Sequence, residues 1–475
     1  MSGVLAFLRN SWRQLTSMRT ALTLLFLLAV AAIPGSVLPQ RSVSAENVAG
    51  YFRVHPDLAP VLDRLGFFEV FAAPWFAAIY LLLFTSLVGC VVPRLADHVR
   101  ALLRPPPAAP ARFERLPFHT VVEDPETVNF KGWRKLKREL PDGTVTVSAE
   151  KGYLKETGNL LFHSSLLVIL VGVGIGAQWG WHANRLLVQG PEQAFCNSLQ
   201  QFDEYGLGPM VDPGDLPPFC LELTGFEASF LDNGIPKWFE AEVNGDRKFR
   251  VNHPLRLDGA SVYLLGHGYA PILKYTDAAG KSQTTVSPFL PLDGMLTSEG
   301  VAAFPDANGS DKAKQMGFEG LYLPTAGMGR SNHPEERDPA LMLMAYRGDL
   351  GLDVGISESV YQLNKEKLTR LGDAKMLKKG DTWTLDDGSK LEFLGTKQWI
   401  TISIRHDPGE PIVLAGVALL LVGLPMSLYG KRRRVWLRLN PDGTAEAGGL
   451  PRTDYPGFED EFKKVTQWPR SQTTS

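Results

Sequence analysis

The stretch "GNLLFHSSLLVILVGVGIGAQWGW", Gly158–Trp181, carries no formal charge, yet places an imidazole, His163, near its first end. The hydrocarbon layer of a bilayer is about 30 Å thick and a helix rises about 1.5 Å per residue, so about 20 apolar residues cross it. Backbone groups cannot stay unpaired in lipid, so the stretch reads as a membrane helix. Three other segments have the same character: "ALTLLFLLAVAAIPGSVL" from Ala21, "FAAPWFAAIYLLLFTSLVGCVV" from Phe71, and "IVLAGVALLLVGLPMSLY" from Ile412. No A-x-A site follows the first, and Pro34 and Gly35 interrupt its end. It is therefore read as a retained helix rather than a cleaved signal peptide.

Lys and Arg near the spans set the expected orientation. Arg9, Arg13 and Arg19 precede the first span, 12 basic residues lie in 93–159, and "KRRRVWLR" follows the fourth span. Residues 182–410 hold 22 bases against 32 acids. The sequence thus predicts a cytoplasmic N-terminus (1–20), TM1 (21–38), a short extracytoplasmic loop (39–70) and TM2 (71–92). A cytoplasmic α+β lobe (93–159), TM3 (160–181), an extracytoplasmic β-rich domain (182–410), TM4 (411–429) and a cytoplasmic basic tail (430–475) follow. The fold class expected is an α-helical membrane protein with four transmembrane helices, a large all-β, sandwich-like outer domain and a small α+β loop domain. Trp179 and Trp181 read as interfacial anchors of the third span.

Within 93–159, "RPPPAAPAR" reads as a stiff spacer, and Asp124 with Pro125 as the start of a helix through "KGWRKLKREL". In the outer region "WFEAEVNGDRKFRV" and "LRLDGASVYLLG" read as hairpins turning at Asn244-Gly245 and Asp258-Gly259. "TWTLDDGSKLEFLG" is a third, and "WITISIRHDPG" a last strand. Between Ser287 and Arg337 the pattern is weak and reads as an insertion or long loops.

The whole chain has 475 residues and a net charge of −2, which offers no pull toward nucleic acid. No GxGxxG, GxxxxGK[ST], HExxH or GxSxG occurs, so soluble-enzyme chemistry has little to stand on. The three cysteines, Cys90, Cys196 and Cys220, form no CxxC or CxxCH. Cys90 suits a small core residue, and Cys196 and Cys220 can pair if their region faces an oxidising compartment.

Of nine histidines, His163 alone lies well inside an apolar run. An ionisable group there faces the bundle and has a task. Two tasks suit it: an axial ligand to haem iron, or a hydrogen bond to a neighbouring helix through Ser164, Ser165 or a carbonyl. Gly172, Gly174 and Gly176 flatten the same helix for close packing. His182 and His406, flanking the outer domain, are weaker outer-face candidates.

Several pieces, taken in order, resemble the ResB (CcsB) family of cytochrome c biogenesis proteins. They are "SMRTALTLLFLLAVAAIPGSVLPQR", "KGYLKETGNLLFHSSLLVILVGVGIG", "VNHPLRLDG" and "RHDPGEPIVLAGVALLLVGLPMSLYGKRRRVW". The resemblance implies a multi-pass subunit of the System II haem export and ligation complex in the plasma or a thylakoid-type membrane, itself a non-catalytic part of a haem lyase. It implies a ResC/CcsA partner bearing the WWD segment that this chain lacks, apocytochrome c as recipient, and a separate thiol-reducing system. His163 matches the family's "FHxSLL" histidine and would be one axial ligand of a non-covalent haem b shared with the partner. Two other readings stay open: a non-haem scaffold subunit, and a membrane b-type cytochrome.

Overall fold

The computed structural model describes residues 2–41, 45–306, 308–309, 311–351, 363–452 and 455–467. The chain divides into two compact units, 1–177 with 408–475, and 178–407.

Among its described residues the first unit carries eight α-helices: α1 (Ser2–Leu15), α2 (Met18–Val37), α3 (Ala45–Val54), α4 (Ala59–Arg64), α5 (Pro74–Leu103), α6 (Leu154–Trp179), α7 (Glu410–Tyr429) and α8 (Phe458–Thr466). Four of them, α2, α5, α6 and α7, are long and apolar enough to cross a membrane. Helix α5 runs on through Pro93, Arg94, Asp97 and His98. Hydropathy marks where the apolar run stops, not where the helix stops. Between α2 and α5 the chain is folded rather than a bare loop. Val48, Ala59 and Phe68 make a small core, and Gln40 accepts from the Val70 N–H at 3.1 Å.

Residues 93–159 and 430–475, read as separate regions in the sequence, fold together. A five-stranded antiparallel sheet runs in the order Phe118–Val122, Ala445–Pro451, Arg433–Leu439, Val145–Lys151, Arg134–Glu139. Two strands of the supposed tail thus sit in the middle of the sheet, because Val435, Leu437, Ala445 and Ala447 bury against Phe458 and Phe462 of α8. The helix expected after Asp124 is absent. Asp124 caps only a short 3-10 turn, Pro125–Thr127, Gly132 then takes a positive φ, and Arg134–Glu139 pairs as an edge strand. Lys135 and Lys137 point outward from that edge, where charge discourages pairing with another chain. Nor is the proline-rich spacer free. Arg138 Nη2 donates to Pro106 O at 3.0 Å, and Arg438 Nη2 to Pro110 O at 2.6 Å. Arginines on the sheet therefore hold the strap down by its carbonyls, which prolines leave unpaired.

The second unit is built on two 17-residue antiparallel partners, Ala260–Thr276 and Lys390–His406. One end of this ribbon packs Val262, Leu264, Ile400, Ile402 and Ile404 against a three-stranded sheet of Leu223–Phe230, Pro236–Val243 and Arg247–Arg250. The other end packs Leu273, Tyr275, Leu391 and Phe393 against a five-stranded sheet. Register shifts at Leu264/Gly266 and Ile272/Leu273 fall between the two cores, where bulges add twist to a long ribbon. The hairpin turns at Asn244-Gly245 and Asp258-Gly259 have the two positive φ values of a type I′ turn. The stretch 287–337, expected as loops, instead supplies the strands Ser298–Phe304 and Met316–Leu323. Both faces of these strands are largely covered, and Gly300, Gly317 and Gly320 interrupt them, so no polar–apolar alternation was there to read. Trp181 is likewise no membrane anchor: it is buried in the first core as the opening residue of the strand Trp181–Val188.

Candidate functional site

Helix α6 is clamped against α7 by small residues spaced seven apart. Gly158, Ser165 and Gly172 of α6 face Gly423, Gly416 and Gly409 at the α7 side. A Cβ on Gly423 would come within 2.7 Å of Phe162 N, and one on Gly172 within 3.0 Å of Val413 N. A seven-residue repeat keeps one stripe of a helix on its neighbour. In lipid, such close backbone approach replaces the missing hydrophobic drive. Gly176, whose amide lies beside Gly409, belongs to this seam, whereas a Cβ on Gly174 would meet only the Tyr80 hydroxyl, at 3.9 Å. On the α5 side the Tyr80 hydroxyl donates to Leu170 O, and His98 Nε2 lies 3.0 Å from Thr157 Oγ1.

His163 follows Phe162, a seam residue, by one position and so stands about 100° round the helix from it. Its ring is half-exposed. Nδ1 lies 2.7 Å from Asn159 O. A carbonyl oxygen can only accept, so Nδ1 carries the proton and Nε2 keeps its lone pair. Among the described residues Nε2 has no partner. The bond to Ser164 or Ser165 is not made; Ser165 donates to Phe162 O at 2.6 Å. Leu166, Leu167 and Leu170, all half-buried, lie three, four and seven residues on, the same side of the helix. One imidazole nitrogen fixed by a backbone carbonyl, with the other left without a protein partner, is the arrangement that metal-ligating histidines adopt. The residues present therefore fit a haem iron from one side. Among the described residues no group of three His, Cys, Asp or Glu gathers to hold a metal ion.

The other candidates stand apart. His182 and His406 lie on neighbouring strands, but the register pairs Trp181 with His406 and Arg405 with His182. The two imidazoles therefore point to opposite faces of one sheet. His406 Nδ1 donates to Gly259 O at 2.8 Å, and its ring stacks on Trp181. Burial, then the neighbouring Arg405, pushes His182 below its usual range. Cys196 and Cys220 are paired across two short strands and joined by a disulfide.

A cluster that sequence reading passed over sits where α6 begins. Glu150, 1% exposed, accepts from Arg432 Nε at 2.9 Å, Arg434 Nε at 2.8 Å, and the Tyr153 hydroxyl. Arg432 also pairs with Glu156, whose carboxylate faces His98 Nδ1 at 3.8 Å. Burial works to raise the Glu150 carboxyl, but the Tyr153, Arg434 and Arg432 donors outweigh it and hold it below the usual range. The signal was present: two acids, Glu150 and Glu156, border the entry to α6, and arginines crowd the exit of α7. The basic run reads as a topology marker alone until those acids are set beside it.

Residues 18–463 match the sequence model of the ResB-like family. The chain belongs to the ResB-like family. It is 26% identical to a cytochrome c biogenesis protein CcsB of Gloeobacter violaceus, over 97% of this chain and 92% of that protein. It is 25% identical to proteins of the same name from Synechococcus sp. strain JA-3-3Ab (95% and 88% covered) and Thermosynechococcus vestitus (97% and 96%). The match takes in the glycine seam, His163, the buried Glu150–Arg432 cluster and the whole β-unit of this ResB-like chain. Helix α1 alone among the helices lies before it.

Proposed function

We propose that this ResB-like chain is a subunit of the System II cytochrome c haem export and ligation complex. His163 holds haem on its way to apocytochrome c, together with a WWD-bearing ResC/CcsA-type protein. The observation that carries the reading is the His163 ring: its Nδ1–H is spent on Asn159 O and its Nε2 lone pair is presented on α6. The kinship with CcsB proteins supports the pathway. Bound haem is the cargo, and its attachment to CxxCH thiols is chemistry that needs a thiol-reducing system outside this chain.

The chain's own residues do the holding. The α6–α7 seam fixes the backbone under His163, Asn159 sets its tautomer, and Leu166, Leu167 and Leu170 make that side of α6 apolar. A second axial ligand comes from the partner, since His98, the other histidine on a membrane-length helix, is engaged by Thr157 and faces Glu156. Binding then depends on assembly. The termini lie on the cytoplasmic side and the β-unit outside. The arginines around α1, α5 and α7 support this orientation, and a disulfide in the β-unit suits an oxidising compartment.

The test is an absorption spectrum of the chain co-purified with its WWD partner. His163→Ala should remove the membrane haem signal and lower holocytochrome c, and added imidazole should partly restore both. Full haem content and activity in that variant overturns the ligand role; no haem in the unaltered complex supports a scaffold instead.

A further inference from the structure

Helix α1 is amphipathic, and among the described residues most of its apolar side is left uncovered. At 100° per residue, Val4, Leu5, Leu8, Trp12 and Leu15 fall within about a third of the circumference. Val4, Leu5, Leu8 and Trp12 are all more than half exposed. Arg9 and Arg13 follow one margin of that arc, about 40° and about 80° beyond it, and the first acid in the chain is Glu46.

The location of α1 follows from its neighbours. Only Thr16 and Ser17 separate it from α2, a membrane-length helix. Its end is pinned to α5: Ser86 Oγ donates to Leu15 O at 2.6 Å, and Cys90 Sγ to Thr16 O at 2.8 Å. Gly89 leaves room there for Thr16 and Trp12. Ser86 and Cys90 lie eight and four residues before Arg94, the first charge after the apolar run of α5. At about 1.5 Å per residue, the junction is about 6–12 Å below the polar edge. Interfacial helices bury their apolar face about 5–10 Å into the headgroup boundary.

We propose that α1 is an in-plane membrane anchor that lays Val4, Leu5, Leu8 and Trp12 into one leaflet and binds anionic phospholipid headgroups through Arg9 and Arg13. Charge complementarity selects the lipid: the helix offers cations and no acid, and its arginines stand on one flank of the apolar arc, where their stems can bury while the guanidiniums reach phosphate. This does not depend on haem binding.

The test uses the full chain in nanodiscs, with Cys90→Ser keeping the donor to Thr16 and with Leu8→Cys or Asn10→Cys carrying a nitroxide. In discs containing phosphatidylglycerol, the label at position 8 should collide with oxygen and be shielded from a water-soluble nickel chelate, several-fold more so than the label at position 10. Arg9→Glu with Arg13→Glu should lower the docked fraction, each arginine near an anionic surface being worth about fivefold. Lysine at both positions should retain docking, and discs of phosphatidylcholine alone should weaken it. Equal nickel access at both positions overturns the anchor. Shielding of position 8 from both reagents means that a protein surface covers α1 and also overturns it. Contrast that ignores lipid charge and the Glu variants overturns headgroup binding.

Discussion

Arg432 and Glu150 meet through a 2.9 Å hydrogen bond across 282 residues of sequence, joining the exit of α7 to the strand that leads into α6. Both side chains are almost wholly buried. Removing one partner of a buried pair strands the other's charge and costs about 3–5 kcal/mol. Glu150→Leu should therefore lower the melting temperature of the detergent-solubilised chain sharply, whereas Glu139→Gln, on the exposed edge strand, should not. Equal losses from both would show that the pair is not what holds this corner. The sign with pH follows from the depressed carboxyl. Its contribution is intact above the ordinary Glu value of about 4.5 and fades as the solution is acidified through the lower folded value.

The seam between α6 and α7 gives a second expectation. Gly423 admits no side chain, because a Cβ would fall 2.7 Å from Phe162 N and 3.0 Å from Gly158 O. Backbone cannot yield as a flexible side chain can, so Gly423→Val should cost at least the 1–3 kcal/mol typical of overpacking. Gly174→Ala, whose Cβ would meet only the Tyr80 hydroxyl at the ordinary contact distance of 3.9 Å, should be near neutral. Thermal unfolding of the two variants, followed by the fraction remaining monodisperse, separates them. If haem binding uses His163, the first variant should also lose the haem signal that the second retains.

The Cys196–Cys220 disulfide closes a loop 24 residues apart in sequence. Loop-closure entropy gives about 3 kcal/mol for such a cross-link. Cys196→Ser with Cys220→Ser should destabilise the β-unit by about that amount in chemical denaturation. An unchanged midpoint would mean that the short paired strands Phe195–Cys196 and Cys220–Leu221 hold without the bond.

The four membrane-length helices were legible because lipid demands a long uninterrupted apolar run, a signal that no tertiary contact has to complete. The hairpins at Asn244-Gly245 and Asp258-Gly259 were legible for a related reason: the turn chemistry is local. The small sheet was not, since its central strand, Arg433–Leu439, pairs with Val145–Lys151 almost three hundred residues earlier. Arg134–Glu139 carries a single apolar residue, Leu136, so neither period was visible. At the site, His163 stood out by its chemistry alone. Its Asn159 partner lies one helical turn earlier and could be placed once the helix was accepted. The Glu150–Arg432–Glu156–His98 chain depends on bringing together three separate parts of the sequence.

His267 offers a pH test confined to the β-unit. Its imidazole lies among rings: Phe239 at 4.6 Å, Phe226 at 5.0 Å and Phe230 at 6.2 Å between centroids. Burial there disfavours the cation and pushes the pKa down to about 4. In the unfolded chain the same group titrates near 6.5. Between those values the unfolded state binds a proton that the folded state refuses, so stability falls as pH drops from about 6.5 to about 4, and levels off below. The shift sets a ceiling of about 3 kcal/mol on the loss. His267→Phe keeps the ring packing and removes the proton. Its melting temperature should be flatter over that window than that of the unaltered chain, with the two converging near neutral pH. Parallel pH curves for the two proteins would mean that His267 is free to protonate within the folded unit, and that the three phenylalanines do not seal it.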